Sequence, residues 1–133
     1  MRYLVDTNIL IYLCNSKSAT LERHFTGKPA ELFCVSSITV GELIYGVKKS
    51  QRQKENLRAI LKILSPFTIL DFNSKDGWEY GAIRAELECA GCIIGGNDLL
   101  IAAQARSRGL TVITNNLREF NRVEGLNVED WST

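Results

Sequence analysis

Short apolar runs alternate with segments of helical periodicity along most of this chain, and that alternation limits the possible folds more than any other feature. The apolar runs cover residues 3–5, 32–35, 67–70 and 110–114, and the tail at 127–131 fits a short edge strand. The helical segments cover residues 7–13, 38–47, 50–65 and 98–108. Strands that alternate with helices form mostly parallel sheets. We therefore predict an α/β sandwich of three layers, α/β/α, around a central, mostly parallel sheet of four or five strands.

One more helix is predicted before Gly91, because Trp78, Ala82, Ala85 and Cys89 recur at helical spacing and share one face. The pattern predicts that this is the apolar face of the helix. The segment 98–108 differs, since it is apolar nearly all round. A helix of that kind is expected at the centre of the domain.

The length and charge of the chain favour one ordinary globular domain. A chain of 133 residues is long enough to bury a core of its own, so we expect a single domain over residues 1–133. The formal net charge of +1 opposes nucleic-acid binding by bulk charge alone, although a local basic patch or a metal can replace it. No apolar run approaches a membrane span, and Asp6 comes too early for a signal peptide. We expect a cytoplasmic protein without membrane association.

The four cysteines are expected to be reduced thiols. Cys89 and Cys92 have the spacing of redox and zinc motifs, but Cys14 and Cys34 are distant in sequence and form no second pair. A structural zinc ion needs about four ligands. We therefore predict no zinc site.

The chain contains a single histidine, His24, and this excludes several classes of enzyme. A zinc motif with two histidines is impossible, and the G-x-S-x-G sequence of a nucleophile elbow is absent from the sequence. If the protein is an enzyme, carboxylates must carry its chemistry.

Four acidic residues are predicted to meet at one edge of the sheet. In open α/β sheets, ligands bind beyond the carboxyl ends of the strands. Asp6 follows the first strand, Glu42 lies in the helix after the second, Asp98 begins the central helix, and Glu119 follows the fourth strand.

Each acid also has an ordinary structural explanation. Asp6 fits a helix N-cap, the Thr39-x-x-Glu42 segment fits a capping box, Asp98 suits the first turn of a helix, and Glu119 fits a solvated surface. Together, however, four converging carboxylates repel one another unless a cation lies between them. Mg²⁺ and Mn²⁺ prefer oxygen ligands. A carboxylate-bound divalent cation that positions a phosphate and activates water would hydrolyse a phosphodiester without any histidine.

These motifs resemble those of PIN-domain nucleases, and most closely the VapC ribonuclease toxins of bacterial toxin–antitoxin pairs. The resemblance covers nearly the whole chain and rests on four segments in order: Leu4-Val5-Asp6-Thr7-Asn8, Ser37-x-x-x-x-Glu42-Leu43, Asn97-Asp98-Leu99-Leu100-Ile101-Ala102 and Thr114-Asn115-Asn116-x-x-Glu119-Phe120. The tail Gly125-Leu126-x-x-Glu129-Asp130-Trp131 extends it.

The resemblance implies a PIN-like fold and a Mg²⁺-dependent endoribonuclease, in which Mn²⁺ can replace Mg²⁺, with structured RNA such as tRNA as substrate. It implies that Asp6, Asp98 and Glu42 hold the metal and that Glu119 completes the catalytic acids. The polar residues that the resemblance places around them are Thr7, Asn8, Thr114 and Asn116.

The resemblance also implies partners. They are a VapB-type antitoxin, a second copy of the chain in a homodimer, and a higher assembly with antitoxin on operator DNA. An arginine of the antitoxin suits the acidic cluster, because a guanidinium meets carboxylates with two parallel hydrogen bonds. Among the basic residues, Arg84 and Arg118 lie nearest the acidic motifs in sequence and are the candidate contacts to RNA.

One position departs from the family pattern, and two other functions remain open from the residues alone. Many PIN domains have an aspartate where this chain has Asn116, which puts a complete second metal site in doubt. A phosphatase of the haloacid-dehalogenase type also has an acid after its first strand, but it requires an aspartate where this chain has Asn8. A non-catalytic interaction module would use the acids only as helix caps, and it would bind no Mn²⁺.

Overall fold

The computed structural model describes residues 1–15 and 18–132, which form five strands and seven α-helices. The strands are β1 (Tyr3–Val5), β2 (Phe33–Ser36), β3 (Thr68–Leu70), β4 (Thr111–Ile113) and β5 (Asn127–Glu129). The helices are α1 (Thr7–Cys14), α2 (Ala19–Thr26), α3 (Ser37–Lys49), α4 (Gln53–Leu64), α5 (Ser74–Ala90), α6 (Gly96–Arg108) and α7 (Leu117–Phe120). A single 3₁₀ turn, Ala30–Leu32, leads into β2.

The five strands form one sheet in the order β3-β2-β1-β4-β5, and every neighbouring pair is parallel. This confirms the predicted fold class. In the central strand, Leu4 pairs with Cys34 of β2 and with Val112 of β4. The carboxyl ends of β1 and β4 are therefore adjacent, which brings Asp6 and Thr114 to the same edge.

The two faces of the sheet are covered by different helices, which gives the three predicted layers. Tyr3 and Val5 point into a core that includes residues of α1 to α4, whereas Leu4 points into the core shared with α5, α6 and α7. Six residues of α6 are buried, as expected for a central helix. No helix among the described residues is both long and apolar enough to cross a membrane.

The prediction for the apolar face of α5 was wrong. Trp78 is 85% exposed, and the other members of the predicted face, Ala82, Ala85 and Cys89, are exposed as well. The buried side chains of α5 are Asp76, Ile83 and Leu87.

The orientation of α5 follows from the burial of Ile83 and Leu87 in the core and from an ion pair with α6. The carboxylate of Asp76 completes a capping box with Asn73 and accepts a hydrogen bond of 2.9 Å from Nη2 of Arg108 on α6. Arg106 of α6 pairs in the same interface with Glu79 and Glu86. These ion pairs hold α5 against α6 along a face that contains acidic residues.

Helix α2 was not predicted. Its only buried residue is Leu21, and its other positions are mostly polar, so the segment has too few apolar residues to stand out in the sequence. Ser18 caps the helix by accepting a hydrogen bond from the Leu21 N–H.

Candidate metal centre

Asp6 lies where the central strand ends and α1 begins. It is 4% exposed and adopts an extended backbone as the N-cap of α1, with Oδ1 accepting a hydrogen bond of 2.8 Å from the Thr7 N–H. The predicted capping role is thus present. The cap occupies only Oδ1, and Oδ2 is contacted by a residue that follows the neighbouring strand β4.

The residues after β4 connect Asp6 to the rest of the site. The buried hydroxyl of Thr114 donates to Oδ2 of Asp6 at 2.8 Å and accepts from the Asn116 N–H at 3.0 Å. The threonine hydroxyl therefore fixes both the Asp6 carboxylate and the turn that contains Asn116.

Asn116 joins two further carboxylates through its side-chain amide. Its Nδ2 donates to Oδ2 of Asp98 at 3.1 Å and to Oε2 of Glu119 at 3.0 Å. Asp98 lies in the first turn of α6, two residues after the helix begins, and Glu119 lies in α7. The other oxygen of Glu119 accepts from the Gly95 N–H at 3.3 Å. The structure thus brings Glu119 beside Asp98, as the sequence predicted.

Glu42 approaches from α3, on the opposite side of Asp6. The Thr7 hydroxyl donates to Oε1 of Glu42 at 2.8 Å and lies 3.3 Å from the hydroxyl of buried Thr39. The capping-box interpretation of Thr39 and Glu42 is wrong, because α3 begins at Ser37 and is capped by Ser36. All four predicted acids therefore belong to one hydrogen-bonded network.

Basic side chains balance little of the charge of this network, although Arg122 helps to lower the pKa of Glu119. Burial raises the pKa of Asp6 despite the opposing hydrogen bond from Thr114, and the charges of Glu42 and Glu119 add to the rise. Burial, contact with Glu119 and the surrounding carboxylates raise the pKa of Asp98 to about 8. The hydrogen bond from Asp98 lowers the pKa of Glu119 in turn. The metal-free site therefore favours the neutral form of Asp98 and the ionised form of Glu119.

The donor set of this network fits a hard divalent cation. In residues 1–15 and 18–132, no Lys or Arg forms a salt bridge with any of the four acids. In these ranges no group of three or more His, Cys, Asp or Glu side chains is arranged so that it could hold a metal ion as it stands. Mg²⁺ does not need three such ligands, since it keeps several waters and takes one or two carboxylates. Asp6 and Asp98 are the two carboxylates for which a bound cation would relieve the largest electrostatic cost.

The remaining predicted residues lie outside the hydrogen-bonded network. Asn8 is exposed and lines a depression next to Thr7 and Glu42. Arg84 lies on α5, where it pairs with Glu88, and Arg118 is exposed on α7.

The four cysteines are present as free thiols, as predicted. Cys34 is buried, whereas Cys89 and Cys92 are exposed at the end of α5. Burial raises the pKa of the Cys34 thiol to about 11, which makes it unreactive.

Two contributors to the site were missed from the sequence. Thr39 had been assigned only a capping role, although its burial beside Thr7 supports the position of Glu42. Gly95 had no assigned role, and the Gly95-Gly96 pair at the start of α6 was the available signal for close backbone approach.

Comparison with known proteins identifies the family. The family model of the PIN domain matches residues 3–126. The chain is 45% identical over 131 residues to ribonuclease VapC2 of Haemophilus influenzae, with 98% of each chain covered. It is 43% identical over 132 residues to a tRNA(fMet)-specific endonuclease VapC of Shigella flexneri, with 99% of each covered. The chain belongs to the VapC family of PIN-domain ribonucleases.

The fold agrees with a solved VapC-containing complex. The structure of DNA-bound VapBC from Salmonella typhimurium aligns with a TM-score of 0.94 at 40% identity, covering 98% of each chain. As a VapC-family protein, the chain is an enzyme that hydrolyses RNA. The phosphatase alternative is thereby excluded, in agreement with an exposed Asn8 in place of the aspartate it requires.

Proposed function

We propose that this chain is the toxin of a toxin–antitoxin pair and that it cleaves tRNA in a Mg²⁺-dependent reaction. The observation that carries the proposal is the network of four carboxylates, which lie at the start of α1 and in α3, α6 and α7 and of which none forms a salt bridge in the described residues. The name of the Shigella relative, a tRNA(fMet)-specific endonuclease, supports tRNA as the class of substrate. Because tRNA is a cytoplasmic substrate, the activity is expected in the cytoplasm. Residues 1–133 act as one domain.

The residues have distinct roles in this proposal. Asp6 and Asp98 hold the cation, and Glu42 assists them from α3. When bound, the cation polarises the scissile phosphate and lowers the pKa of a coordinated water. Glu119 would complete the site from α7, where the Asn116 amide holds it beside Asp98.

Neutral side chains keep these acids in place. Thr114 and Thr7 orient the two oxygens of Asp6, since each donates to one of them through a hydroxyl or a backbone N–H. Asn116 holds Asp98 and Glu119 together with one amide. Because an amide adds no charge, these contacts position the carboxylates without neutralising them, and the cation remains necessary.

The protein partners follow from the relatives. The Salmonella structure contains VapB, VapC and DNA, which supports a VapB-type antitoxin and an assembly on operator DNA for this chain. An antitoxin arginine would be attracted to the acidic network for the same electrostatic reason as the cation. We also propose that the chain forms a homodimer.

Two measurements test the proposed function. Sequencing of RNA ends after brief induction of the wild-type chain, with Asp6→Ala as the control, should show new tRNA ends only for the wild type. Titration of the purified chain with Mn²⁺ should show binding that Asp98→Asn weakens. A chain that binds no Mn²⁺ and produces no new RNA ends would instead be a non-catalytic interaction module.

A further inference from the structure

A second concave site lies directly beside the metal centre. It is a groove of about 260 Å³ between the second half of α5 and residues 93–96, and its floor includes Leu87 and Leu99. Gly96 and Leu99 line this groove, whereas Asp98 between them belongs to the metal centre. The first turn of α6 therefore forms a common wall between the groove and the acids.

Two hydrogen bonds fix that wall in place. Nη1 of Arg122 donates to the Ile93 carbonyl at 2.8 Å, and the Gly95 N–H donates to Oε1 of Glu119 at 3.3 Å. Residues 93–96 are thus tied to the α7 region that positions Glu119. A ligand in the groove would lie against a segment whose backbone contacts the catalytic acids.

The lining combines a planar cation with apolar surface. Nη1 of Arg84 donates to the Tyr80 hydroxyl at 3.1 Å, and its Nε donates to Glu88 at 3.3 Å. In the described part of the chain, Nη2 donates to no protein acceptor. Ile93 lines the same groove and is 66% exposed, so it adds accessible apolar surface beside this guanidinium.

We propose that this groove binds one unpaired nucleotide of the RNA substrate, next to the phosphodiester that is cleaved. Unpaired bases stack on aromatic rings and on arginine planes, and Arg84 presents such a plane above an apolar floor. The free Nη2 and the nearby Arg122 supply positive charge for the phosphate, on a chain whose net charge is only +1. This inference rests on the proposed ribonuclease function and adds a substrate subsite to it.

An ordinary surface role for Arg84 makes a different prediction. Its pair with Glu88 has the i,i+4 spacing that supports many exposed helices, and both side chains are about half exposed. In that case Arg84→Ala should change RNA binding and cleavage no more than Arg52→Ala does. The Arg52→Ala substitution removes a comparable exposed pair with Glu55 on α4. Arg52 is therefore the matched control.

The test measures RNA binding and cleavage separately. Single-stranded RNA labelled at its 5′ end is titrated with metal-free protein, and the same RNA is then cleaved with Mg²⁺ present. Arg84→Ala and Ile93→Ser should each weaken binding and raise KM about fivefold or more, which is the lower range for loss of one base stack. Their kcat and Mn²⁺ affinity should match the wild type, and Arg84→Lys should restore the binding only in part.

Abasic RNAs identify the nucleotide concerned. Removing the base at one position near the cleavage site should raise KM for the wild type and have no further effect on Arg84→Ala. The proposed binding of a nucleotide in the groove is refuted if the wild-type protein cleaves RNA while Arg84→Ala, Ile93→Ser and Arg52→Ala all bind that RNA as well as the wild type does. If the wild type neither binds nor cleaves RNA, the proposed function and the groove both fail.

Discussion

The protein contains two groups of carboxylates that differ in how their charge is balanced. In the α5–α6 interface, burial alone would raise the pKa of Asp76, but hydrogen bonds from Arg108 and from the Asn73 backbone hold it below its usual value. In the metal centre, burial and neighbouring acids raise the pKa values of Asp6 and Asp98. Aspartate thus stabilises the fold in the α5–α6 interface, whereas in the metal centre it leaves a negative charge that a cation can balance.

The difference follows from the groups that surround each carboxylate. Asp76 is fully buried, but Arg108 lies 2.9 Å away and the capping box supplies further hydrogen bonds. The metal centre supplies only neutral donors, namely hydroxyl, amide and backbone N–H groups. Neutral donors orient an anion without cancelling its charge. The metal centre therefore keeps a negative charge that attracts a divalent ion.

The largest expected effect is the loss of catalysis in Asp98→Asn. The substitution removes a charge from the metal centre while keeping the shape of the side chain. Metal stabilisation of a transition state contributes several kcal/mol, so kcat/KM for RNA should fall at least about 100-fold.

The control for Asp98→Asn is the same chemical change in the other region. Glu86→Gln removes one half-exposed partner of Arg106 and should leave cleavage unchanged. Both variants should unfold cooperatively in urea. Near-wild-type cleavage by Asp98→Asn in Mg²⁺ would show that its carboxylate does not serve the metal.

Removal of the balancing cation in the α5–α6 interface should have the next largest effect. Arg108→Ala leaves the Asp76 carboxylate buried without its partner, and breaking a buried pair in this way costs about 3 kcal/mol. Urea denaturation should show that loss, while kcat of the folded fraction remains at the wild-type level. Arg52→Ala should change the stability by less than about 1 kcal/mol, because its pair is exposed.

The contrast between the two regions also determined what could be predicted from the sequence. Asp6, Asp98 and Glu119 were predictable because each follows a strand or begins a helix, and parallel strands bring such positions to one edge. The orientation of α5 was only partly predictable from apolar spacing, because Ile83 and Leu87 recur at helical spacing on the buried face, but Trp78 and Ala82 do so on the exposed face. Its buried face contains Asp76, and the spacing of apolar residues gives no information about a buried carboxylate whose partner, Arg108, lies 32 residues away.

Local signals explain the other two differences from the sequence prediction. Helix α2 buries only Leu21 and is mostly polar, so its composition resembles that of a polar loop even though its few apolar residues share one face. Glu42 was predicted to lie near the site, but its link to Asp6 through Thr7 depends on the packing of α1 against α3. Contacts of that kind form only when the layers assemble.

A smaller effect is expected for Asn116→Ala, which removes a neutral support from the metal centre. Asp98 and Glu119 would lose their common donor, and loss of such a supporting contact weakens metal affinity about tenfold. Calorimetric titration with Mn²⁺ measures this change. Asn115→Ala is the matched control, because that amide donates to the Tyr12 hydroxyl instead and its loss should not alter Mn²⁺ binding.

The opposite substitution at the same position tests the role of charge. Asn116→Asp places a third acid beside Asp98 and Glu119, so it should destabilise the metal-free protein and strengthen the binding of Mn²⁺. If Asn116→Ala and Asn115→Ala weaken Mn²⁺ binding equally, the amide of Asn116 has no specific part in holding the ligands.

The smallest effect concerns the pH dependence of stability in the two regions. A carboxyl group whose pKa is raised on folding binds more protons in the folded state, so stability falls as pH rises between the two pKa values. For Asp98 that interval runs from about 4 in the unfolded chain to about 8 in the folded one. The lowered pKa of Glu119 contributes with the opposite sign, but only below the ordinary glutamate value, so it leaves the slope above that value unchanged.

Asp76 contributes with the opposite sign. Its lowered pKa gives stability that is present above the ordinary aspartate value and is lost as pH falls through the folded pKa. Protein treated with a chelator should therefore be most stable at mildly acidic pH, as measured by urea midpoints. Asp98→Asn should reduce the fall in stability toward pH 8 without changing the loss of stability at low pH. Saturating Mg²⁺ should abolish that fall, because the cation replaces the proton of Asp98. A metal-free wild type that gains stability between pH 5 and 8, with the same slope in Asp98→Asn, would mean that the acids of the metal centre are already compensated within the protein.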